Sequence, residues 1–243
     1  MKKNKMVYII SATFIVIALI LGLSFKSAFD HINSIKVTGL AKKDFISDII
    51  VWEATFSTRN MVLEEAYNKL DIDKNIISQY LTKNNVPEDD FIFSSISISK
   101  EYENKTDRDG IRTREFVGYN LYQNIKIESK AVNEIEYLSR DVTSLIDKGI
   151  QIQSEKPHYF YSKLSDLKID MIAQATKDAS LRAAKIAESA NSNLGKLISA
   201  KMGVFQIVAK NSTEEYTWGG RHNKTSKHKT ATVTAKLEYG IGL

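Results

Sequence analysis

The chain has 243 residues, of which 43% are hydrophobic and 26% charged, with two prolines and no cysteine. This composition is typical of a folded globular protein, and the lack of cysteine excludes disulfides, thiol catalysis, cysteine-based metal sites and a lipid-modified N-terminal cysteine. The formal net charge is +5, but Lys2, Lys3, Lys5 and Lys26 against Asp30 place +3 of it within residues 1–30. Because the remainder is almost balanced, the charge does not favour a nucleic-acid-binding domain, which would be expected to show a basic face.

An uncharged apolar run extends over Met6–Phe25. Its length of about 20 residues is enough for a helix to cross the hydrocarbon core of a bilayer, and the lysines before it favour a cytoplasmic N-terminus. A buried core helix is a poor interpretation because the run has no polar face. A cleaved signal peptide is the alternative, although signal segments are usually shorter and the weak cleavage site at Ser24–Ala28 contains Phe25 and Lys26.

The sequence therefore predicts three parts: an N-terminal membrane anchor or signal segment at 1–25, a linker at 26–34 and one domain at 35–243. We expect a single-pass protein of the inner (cytoplasmic) membrane, with its C-terminal domain periplasmic or otherwise extracytoplasmic. Cleavage of the first segment would instead release a secreted form.

The domain is expected to begin with a short strand at Ile35–Val37 that ends at Gly39. From Asp48 onwards, apolar residues alternate with polar ones, which predicts a strand with one well-buried face. A helix follows from about 60 to 84, and the Asn84-Asn85 pair followed by Val86-Pro87 is a suitable stop. The buried strand face comprises Ile50, Trp52, Ala54 and Phe56, and the apolar stripe of the helix comprises Leu63, Ala66, Tyr67, Leu70, Ile77, Tyr80 and Leu81.

Two strands are predicted next, joined by the turn-rich segment at 103–112 as an exposed hairpin. A second helix near 130–147 ends at Gly149, and a strand at about 150–155 follows. In the first of the two strands, Ile96 and Ile98 alternate with serines. In the second strand, the apolar residues that share one face are Val117, Tyr119, Leu121, Ile125 and Ile127.

This β-α-β-β-α-β order is the pattern of ferredoxin-like sheets. A long helix at about 165–191 follows, with Gly195 just beyond its end, and the chain closes with strands at 204–210 and 230–239. The predicted fold class is therefore α+β, with a mostly antiparallel sheet, a ferredoxin-like core, a further long helix and a C-terminal β-hairpin. The stripe of the long helix comprises Ile172, Ala175, Ala179, Ala183, Ile186 and Ala190.

These elements predict an open sheet whose last strand, 230–239, is an uncovered edge. Pairing at that edge would make a homo-oligomer. The long loop at 211–229 would lie at the rim of the interface, and loops of this length are usually functional or mobile. The Ala175–Ala179–Ala183 stripe permits close helix packing, although simple docking onto the sheet of the same chain also explains it.

No catalytic constellation is recognisable, so no catalytic, cofactor-binding or metal-binding residue is assigned, and none of the common serine-hydrolase, dinucleotide or phosphate-loop motifs occurs. His222 and His228 share the long loop with Glu214 and Glu215, and imidazole and carboxylate are ordinary Zn or Cu ligands. A solvated loop is favoured instead, because basic side chains nearby would repel a cation, namely Arg221, Lys224, Lys227 and Lys229. The other histidines, His31 and His158, stand alone in the sequence.

Paired carboxylates are interpreted as solvated charges, since acid–base catalysis needs a carboxylate in a pocket that shifts its pKa. Trp52 and Tyr119 lie on core-facing strand parities and are expected to pack rather than to stack on a ligand. The carboxylate pairs are Glu64 with Glu65 and Asp71 with Asp73 on the first helix, and Glu101 with Glu103 beside the turn.

The order of elements and several residues together resemble the SIMPL-domain family (DUF541), whose bacterial members include periplasmic proteins and an outer-membrane-associated antigen. Asn85 stands where a glycine is common in the family, and the loop at 211–229 is longer and more basic than expected. The residues that carry the resemblance are Val37, Gly39, Asp48, Ala66, Leu81, Val86, Asp89-Asp90, Gly118-Tyr119, Gly149, Phe160, Asp166, Ala175, Ala179, Ala183, Ala184, Ala187 and Gly195-Lys196-Leu197.

The resemblance implies an extracytoplasmic domain that self-associates and is linked to envelope or oxidative-stress physiology, and it carries over no catalytic residue. We therefore expect a non-enzymatic, membrane-tethered envelope protein that acts by self-association or by binding an envelope partner whose identity the sequence does not give. We expect no nucleic-acid partner, and we expect contact with the membrane through residues 6–25. The alternative is an envelope hydrolase or stress-protective enzyme with an unrecognised site, which a deep polar pocket would favour, whereas a flat apolar patch or free strand edge would favour assembly.

Overall fold

The computed structural model describes residues 13–24, 33–106 and 112–242. They form a mixed α/β protein with antiparallel sheets, as predicted. Short 3₁₀ segments occur at Glu88–Asp90 and Val142–Lys148. The helices are α1 (13–24), α2 (Leu63–Lys83), α3 (Val132–Asp141) and α4 (Leu164–Ser189), and the strands are β1 (Ser34–Ile46), β2 (Ile49–Asn60), β3 (Phe91–Phe93), β4 (Ser97–Thr106), β5 (Arg112–Ser129), β6 (Gln151–Ser154), β7 (His158–Phe160), β8 (Asn193–Met202), β9 (Gln206–Ala209) and β10 (His228–Gly242).

The strands divide between two sheets rather than forming one. The first sheet has four strands in the order β1-β10-β8, with β9 also paired to β10. The second has six strands in the order β3-β5-β2-β6, with β4 paired to β5 and β7 paired to β2. Helix α4 packs on the four-stranded sheet, whereas α2 and α3 pack on the six-stranded one.

The six-stranded sheet is built from the elements with the clearest sequence periodicity. Ile50, Trp52, Ala54 and Phe56 of β2 are buried, as the alternation predicts, and α2 packs on them with Ala66, Leu70, Ile77 and Leu81. The elements follow one another as β2, α2, β4, β5, α3 and β6, with the short β3 inserted after α2. The predicted stop of the first helix is confirmed, since Asn85 adopts positive φ. The second predicted helix is α-helical only to Asp141 and continues as the 3₁₀ segment Val142–Lys148, which Gly149 ends with positive φ.

Strand β1 is longer than predicted. The expectation that it ends at Gly39 is wrong, because β1 continues to Ile46 while paired to β10 along its whole length. Gly39 instead allows α4 to approach the strand, since a Cβ at this position would lie 2.2 Å from the carbonyl oxygen of Ala175. The glycine is therefore a packing residue and not a strand terminator.

Helix α4 lies on the four-stranded sheet through the predicted small-residue stripe, so docking onto the sheet of the same chain is confirmed. Ala175, Ala179 and Ala183 are buried there, whereas Ile172 and Ile186 remain partly exposed. The helix ends at Ser189, and Asn191, two residues beyond it, adopts the left-handed conformation with φ 51°.

Strand β8 follows α4 directly and was not predicted. Its Gly195 is a contact point with β10, since a Cβ there would lie 2.7 Å from the carbonyl oxygen of Gly240. Gly195 is therefore part of the sheet, and not merely a residue beyond the helix end.

The last strand is not an edge, so the predicted edge at 230–239 is wrong. Strand β10 lies in the middle of its sheet, paired with β1 on one side and with β8 and β9 on the other. The error arises because β8 was not predicted and because β1 pairs with a strand about two hundred residues away, as in the pair Ser34 and Gly240.

In the described part of the chain, no helix is both long and apolar enough to span a bilayer. Helix α1 lies inside the predicted segment Met6–Phe25, which begins and ends outside the described residues. The side chains of α1 are exposed along its whole described length. The helix is therefore not part of either core.

Candidate functional site

The chain passes from one sheet to the other twice, and a carboxylate in the first connection accepts hydrogen bonds from a residue in the second. Asp48 lies between β1 and β2, and Ser162 lies between β7 and α4. The carboxylate of Asp48 accepts hydrogen bonds from the backbone N–H of Ser162 at 2.7 Å and from its Oγ at 2.6 Å. Burial raises the pKa of Asp48, but these hydrogen bonds outweigh it and hold the pKa below its usual value.

Lys229 lies buried at the same junction, with only 1% of its surface exposed. Its Nζ donates to the carbonyl oxygen of Tyr159 at 2.5 Å, which connects β10 to β7 of the other sheet. Burial lowers the pKa of Lys229 from 10.5 to about 8. No nucleophile or carboxylate among the described residues binds this amine. Its hydrogen bond to Tyr159 therefore links the two sheets.

A second lysine strengthens the junction from the surface side. Lys227 Nζ contacts Glu136 Oε2 and Asn133 Oδ1 of α3, both at 2.8 Å. The hydrogen bond from Lys227 holds the pKa of Glu136 below its usual value. Of the basic residues that sequence reasoning placed in a solvated loop, Lys227 and Lys229 therefore connect the two sheets.

The histidines do not form a metal centre in the described residues, which contain no group of three His, Asp or Glu side chains suited to a metal. His222 lies beside β9 in an isolated bridge with Ile207, and His228 begins β10. Burial, together with the nearby charges of Lys229 and Lys168, lowers the pKa of the His222 imidazole. His158 begins β7, and His31 lies outside the described residues.

The carboxylate pairs are also separated. Glu64, Glu65 and Asp71 are exposed on α2, as expected of a solvated helix face. Asp73 departs from the prediction, because it is buried and paired with Lys69 one turn earlier in α2. In the hairpin, Glu101 forms a 3.0 Å ion pair with Arg59, whereas Glu103 lies exposed opposite another carboxylate residue of β5.

The two aromatic residues singled out from the sequence have packing roles of different strength. Trp52 is fully buried, and its Nε1 donates to Ser154 Oγ at 3.0 Å. Tyr119 is only partly buried, at the margin of the core beside Phe116, with ring centroids 5.1 Å apart. Neither ring lies free to stack on a ligand.

Strand β8 presents the surface best suited to a partner. It pairs with β10 on one side, and in the described residues no strand pairs with its other side. Three large apolar side chains of β8 are exposed: Leu197 by 50%, Ile198 by 44% and Met202 by 46%. Sequence reasoning missed this strand because most of its residues are exposed, so that no two-residue alternation appears.

The other edge of the four-stranded sheet, formed by β1, is contacted by side chains of α4. Asp178 of α4 accepts a hydrogen bond from the backbone N–H of Leu40 in β1 at 2.8 Å, and Asp170 pairs with Lys43 at 2.8 Å. Asp178 thus occupies one backbone N–H on the side of β1 at which a further strand would otherwise pair, whereas the contact of Asp170 is with a side chain. The two edges therefore differ in that α4 contributes a backbone hydrogen bond to the β1 edge.

The long loop at 211–229 is ordered around one buried glutamine. The amide nitrogen of Gln206 donates to the carbonyl oxygen of Thr217 at 2.7 Å, and its carbonyl oxygen accepts from the backbone N–H of Arg221 at 2.8 Å. Tyr216 OH donates to Thr232 Oγ1 at 3.2 Å. This arrangement holds Trp218 fully exposed, at 100%. Nothing in the sequence pattern indicates that Gln206 organises the loop.

Comparison with known families agrees with the resemblance found in the sequence. The family model described as SIMPL, "Protein of unknown function (DUF541)", matches residues 35–238. The matched region begins in β1 and ends in β10, so it includes both sheets and the junction between them. A search of curated proteins found no match. The chain belongs to the SIMPL (DUF541) family.

Proposed function

We propose that this SIMPL-domain protein is a non-enzymatic, membrane-tethered protein of the cell envelope that acts by self-association. The observation that carries the proposal is the open β8 edge, with its exposed apolar residues Leu197, Ile198 and Met202. An unpaired strand offers a row of backbone donors and acceptors to another strand, and folded proteins usually blunt such edges. At the β1 edge of the same sheet, by contrast, Asp178 of α4 already accepts a hydrogen bond from the backbone N–H of Leu40.

The β8 edge carries few features that would prevent pairing. Within Asn193–Met202 the charged side chains are Lys196 and Lys201, and there is no proline. Pairing of β8 with β8 of a second copy would satisfy the free backbone groups and bury apolar side chains that now contact water. The surface is thus an open strand edge with exposed apolar residues, which favours assembly over catalysis, and its pairing with β10 has two register shifts, at Glu238–Tyr239 and Tyr239–Ile241.

Tethering is supported by the N-terminal segment. The described part of α1 contains many apolar side chains, and Phe14, Leu19 and Leu23 are all largely exposed. Exposing apolar surface on every side of a helix is unfavourable in water, because each buried CH₂ group contributes about 0.8 kcal/mol. A lipid environment around residues 6–25 would remove that cost and hold the domain outside the cytoplasm.

Light scattering of the full-length protein, corrected for bound detergent, tests self-association. We expect an oligomer at about 10 μM protein, the range of specific but moderate association. Ile198→Lys should shift it to the monomer, because a charge on the edge disfavours strand pairing. Leu181→Lys, on the exposed side of α4, is the matched control and should leave the oligomer intact. A wild-type monomer at about 100 μM would end the proposal.

Protease accessibility tests the orientation. Added protease should digest the domain at 35–243 in spheroplasts whose cytoplasm is intact, because the three lysines before the apolar run favour a cytoplasmic N-terminus. A cytoplasmic protein serves as the control for intact membranes. Protection of the domain under those conditions would contradict the proposed orientation.

A further inference from the structure

One face of the four-stranded sheet is covered by α4, and the opposite face is open and rich in lysine. Lys36 and Lys42 of β1, Lys236 of β10 and Lys201 of β8 all belong to this open face. Lys201 and Lys236 are direct cross-strand neighbours. Like charges in that position destabilise a sheet, so the pair is not explained by the stability of the fold.

The acidic groups of this face are already engaged with other partners. Glu238 accepts hydrogen bonds from Ser34 Oγ at 2.7 Å and from Ser199 Oγ at 3.4 Å, and it pairs with Lys36 at 3.5 Å. The hydrogen bond from Ser34, with further help from Lys36, holds the pKa of Glu238 below its usual value. Lys201 and Lys236 have no carboxylate partner among the described residues, and their charges face solvent.

Two concave regions on this face meet at Lys236. One, of about 500 Å³, is lined by Val204, Tyr216, Trp218, Thr234 and Lys236. The other, of about 250 Å³, is lined by polar residues that include three lysines and one carboxylate: Lys36, Thr38, Ser199, Lys201, Lys236 and Glu238. Together they form an open trough along β10 from Thr232 to Glu238. The six residue steps from Thr232 to Glu238 give the trough a length of about 20 Å.

The trough has an aromatic end and a cationic end. Trp218 is fully exposed at the aromatic end, yet the backbone beside it is held by the hydrogen bonds of Gln206. Tyr216 lies next to it, with its hydroxyl bound to Thr232. The hydroxyl groups of Thr38 and Ser199 lie among the lysines at the other end.

We infer that this trough, defined by Trp218, Tyr216, Thr234, Lys236, Lys201 and Lys36, binds an extended acidic carbohydrate chain. The flat, apolar indole packs against the C–H face of a sugar ring, the hydroxyl side chains exchange hydrogen bonds with sugar hydroxyls, and the lysines pair with carboxylate groups along the chain. Charge complementarity selects an acidic polymer over a neutral one.

The shape of the site distinguishes this occupant from other anionic partners. The trough lies on the face of the sheet, where the backbone groups of β10 already bond to β1 and β8, so a peptide cannot add as a further strand. A flat bilayer does not follow a concave surface that extends over about 20 Å. Pairing at the outer edge of β8 uses backbone groups and leaves the lysine side chains of the face free, so the inference does not depend on self-association.

Tryptophan fluorescence of the full-length protein tests the inference with a built-in reporter. The chain has two tryptophans, Trp52 being buried and Trp218 fully exposed. The difference between the wild type and Trp218→Phe therefore isolates the exposed ring. Polygalacturonate is the acidic probe and dextran the neutral one. We expect polygalacturonate to shift the Trp218 emission to shorter wavelength, with an affinity that falls as salt is added.

Charge variants test the lysine end. The double variant Lys201→Gln and Lys236→Gln should weaken polygalacturonate binding by about tenfold or more, one decade of affinity corresponding to about 1.4 kcal/mol. Lys148→Gln with Lys156→Gln removes the same charge from exposed positions at the six-stranded sheet and should change binding less than twofold. Circular dichroism confirms that each variant is folded.

Four outcomes would overturn the inference. They are no change of Trp218 emission with polygalacturonate, an equal response to dextran, equal weakening by both lysine pairs, and tighter binding to anionic vesicles or single-stranded DNA than to the polysaccharide. A monomeric protein that still binds the polysaccharide would refute self-association alone, so the two proposals fail independently.

Discussion

Replacing the buried lysine at the sheet junction by methionine should stabilise the protein at neutral pH. Lys229 is 1% exposed, and its Nζ bonds to the carbonyl oxygen of Tyr159. Methionine is similar in length and keeps the packing, but it removes the buried charge and loses one hydrogen bond. The lost bond costs about 1 kcal/mol. The removed charge matters more, because burial lowers the pKa of Lys229 from 10.5 to about 8.

The size and the pH dependence of the effect follow from that pKa. Below pH 8 the lysine is charged in both the folded and the unfolded states, so the folded state bears the full cost of the buried charge, about 3 kcal/mol at 1.36 kcal/mol per pH unit. As pH rises from 8 to 10.5, the folded protein releases its proton first, and the wild type gains stability. The advantage of Lys229→Met should therefore shrink by about 2.5 kcal/mol between pH 7 and pH 10.

Urea denaturation of both proteins at pH 7, 8.5 and 10 measures the difference in the free energy of unfolding. The lost hydrogen bond to Tyr159 adds an offset that does not vary with pH, so the slope of the difference reports the charge alone. Lys201→Met removes an exposed lysine of the same sheet and should show no such slope. A difference for Lys229→Met that is constant from pH 7 to pH 10 would refute the reasoning.

Two further substitutions test the packing. Gly39→Ala should lower the free energy of unfolding by about 3 kcal/mol, the upper end for overpacked sites, because its Cβ would lie 2.2 Å from the carbonyl oxygen of Ala175. Gly219→Ala is the control, since it has open space around its Cβ, and it should lie within about 0.5 kcal/mol of the wild type in the same thermal melts. Tyr119→Ala should cost about 1–2 kcal/mol rather than the 3–5 kcal/mol of a fully buried aromatic residue, because Tyr119 lies at the margin of the core beside Phe116. A melting temperature unchanged by either Gly39→Ala or Tyr119→Ala would contradict the packing described for that residue.

Local patterns in the sequence predict the elements whose two faces have different environments. Strand β2 and the second half of β5 each have one buried and one wetter face, so their residues alternate and the strands are recognisable. Strand β8 has no such contrast, because it is an exposed edge, and it was missed. Gly39 was misread because a glycine that admits a helix has the same signature in sequence as one that ends a strand.

The division into two sheets could not be predicted from local patterns. It depends on the pairing of β1 with β10, which come from opposite ends of the domain, and of β10 with β8. Local periodicity states which face of a strand is buried, but not which strand lies beside it. The same limit applies to the trough, because Lys36, Lys201 and Lys236 are far apart in sequence and only the register brings them together.

The double crossing between the sheets explains why a carboxylate precedes the most buried strand, and it yields a last prediction. Because Asp48 binds both the N–H and the Oγ of Ser162, Asp48→Ala should lower the free energy of unfolding at pH 7 by about 2–3 kcal/mol, the range for hydrogen bonds to a charged group. The pKa of Asp48 is lowered in the folded protein, so this stabilisation is complete above the unfolded value of 3.8 and disappears as pH falls through the folded value. Asp44→Ala is the control, since Asp44 bonds to Lys210 and Thr230 within one sheet.

Amide hydrogen exchange separates a junction role from general stability. In the wild type, the slowest amides of β5 and of β10 should exchange with the same free energy, because the two sheets unfold together. Asp48→Ala should give the two sheets different exchange free energies, whereas Asp44→Ala should weaken only the four-stranded sheet, since its lost contacts lie within it. If the exchange free energies of β5 and β10 stayed equal in Asp48→Ala, the hydrogen bonds between Asp48 and Ser162 would be a local contact before the start of α4 and would not couple the two sheets.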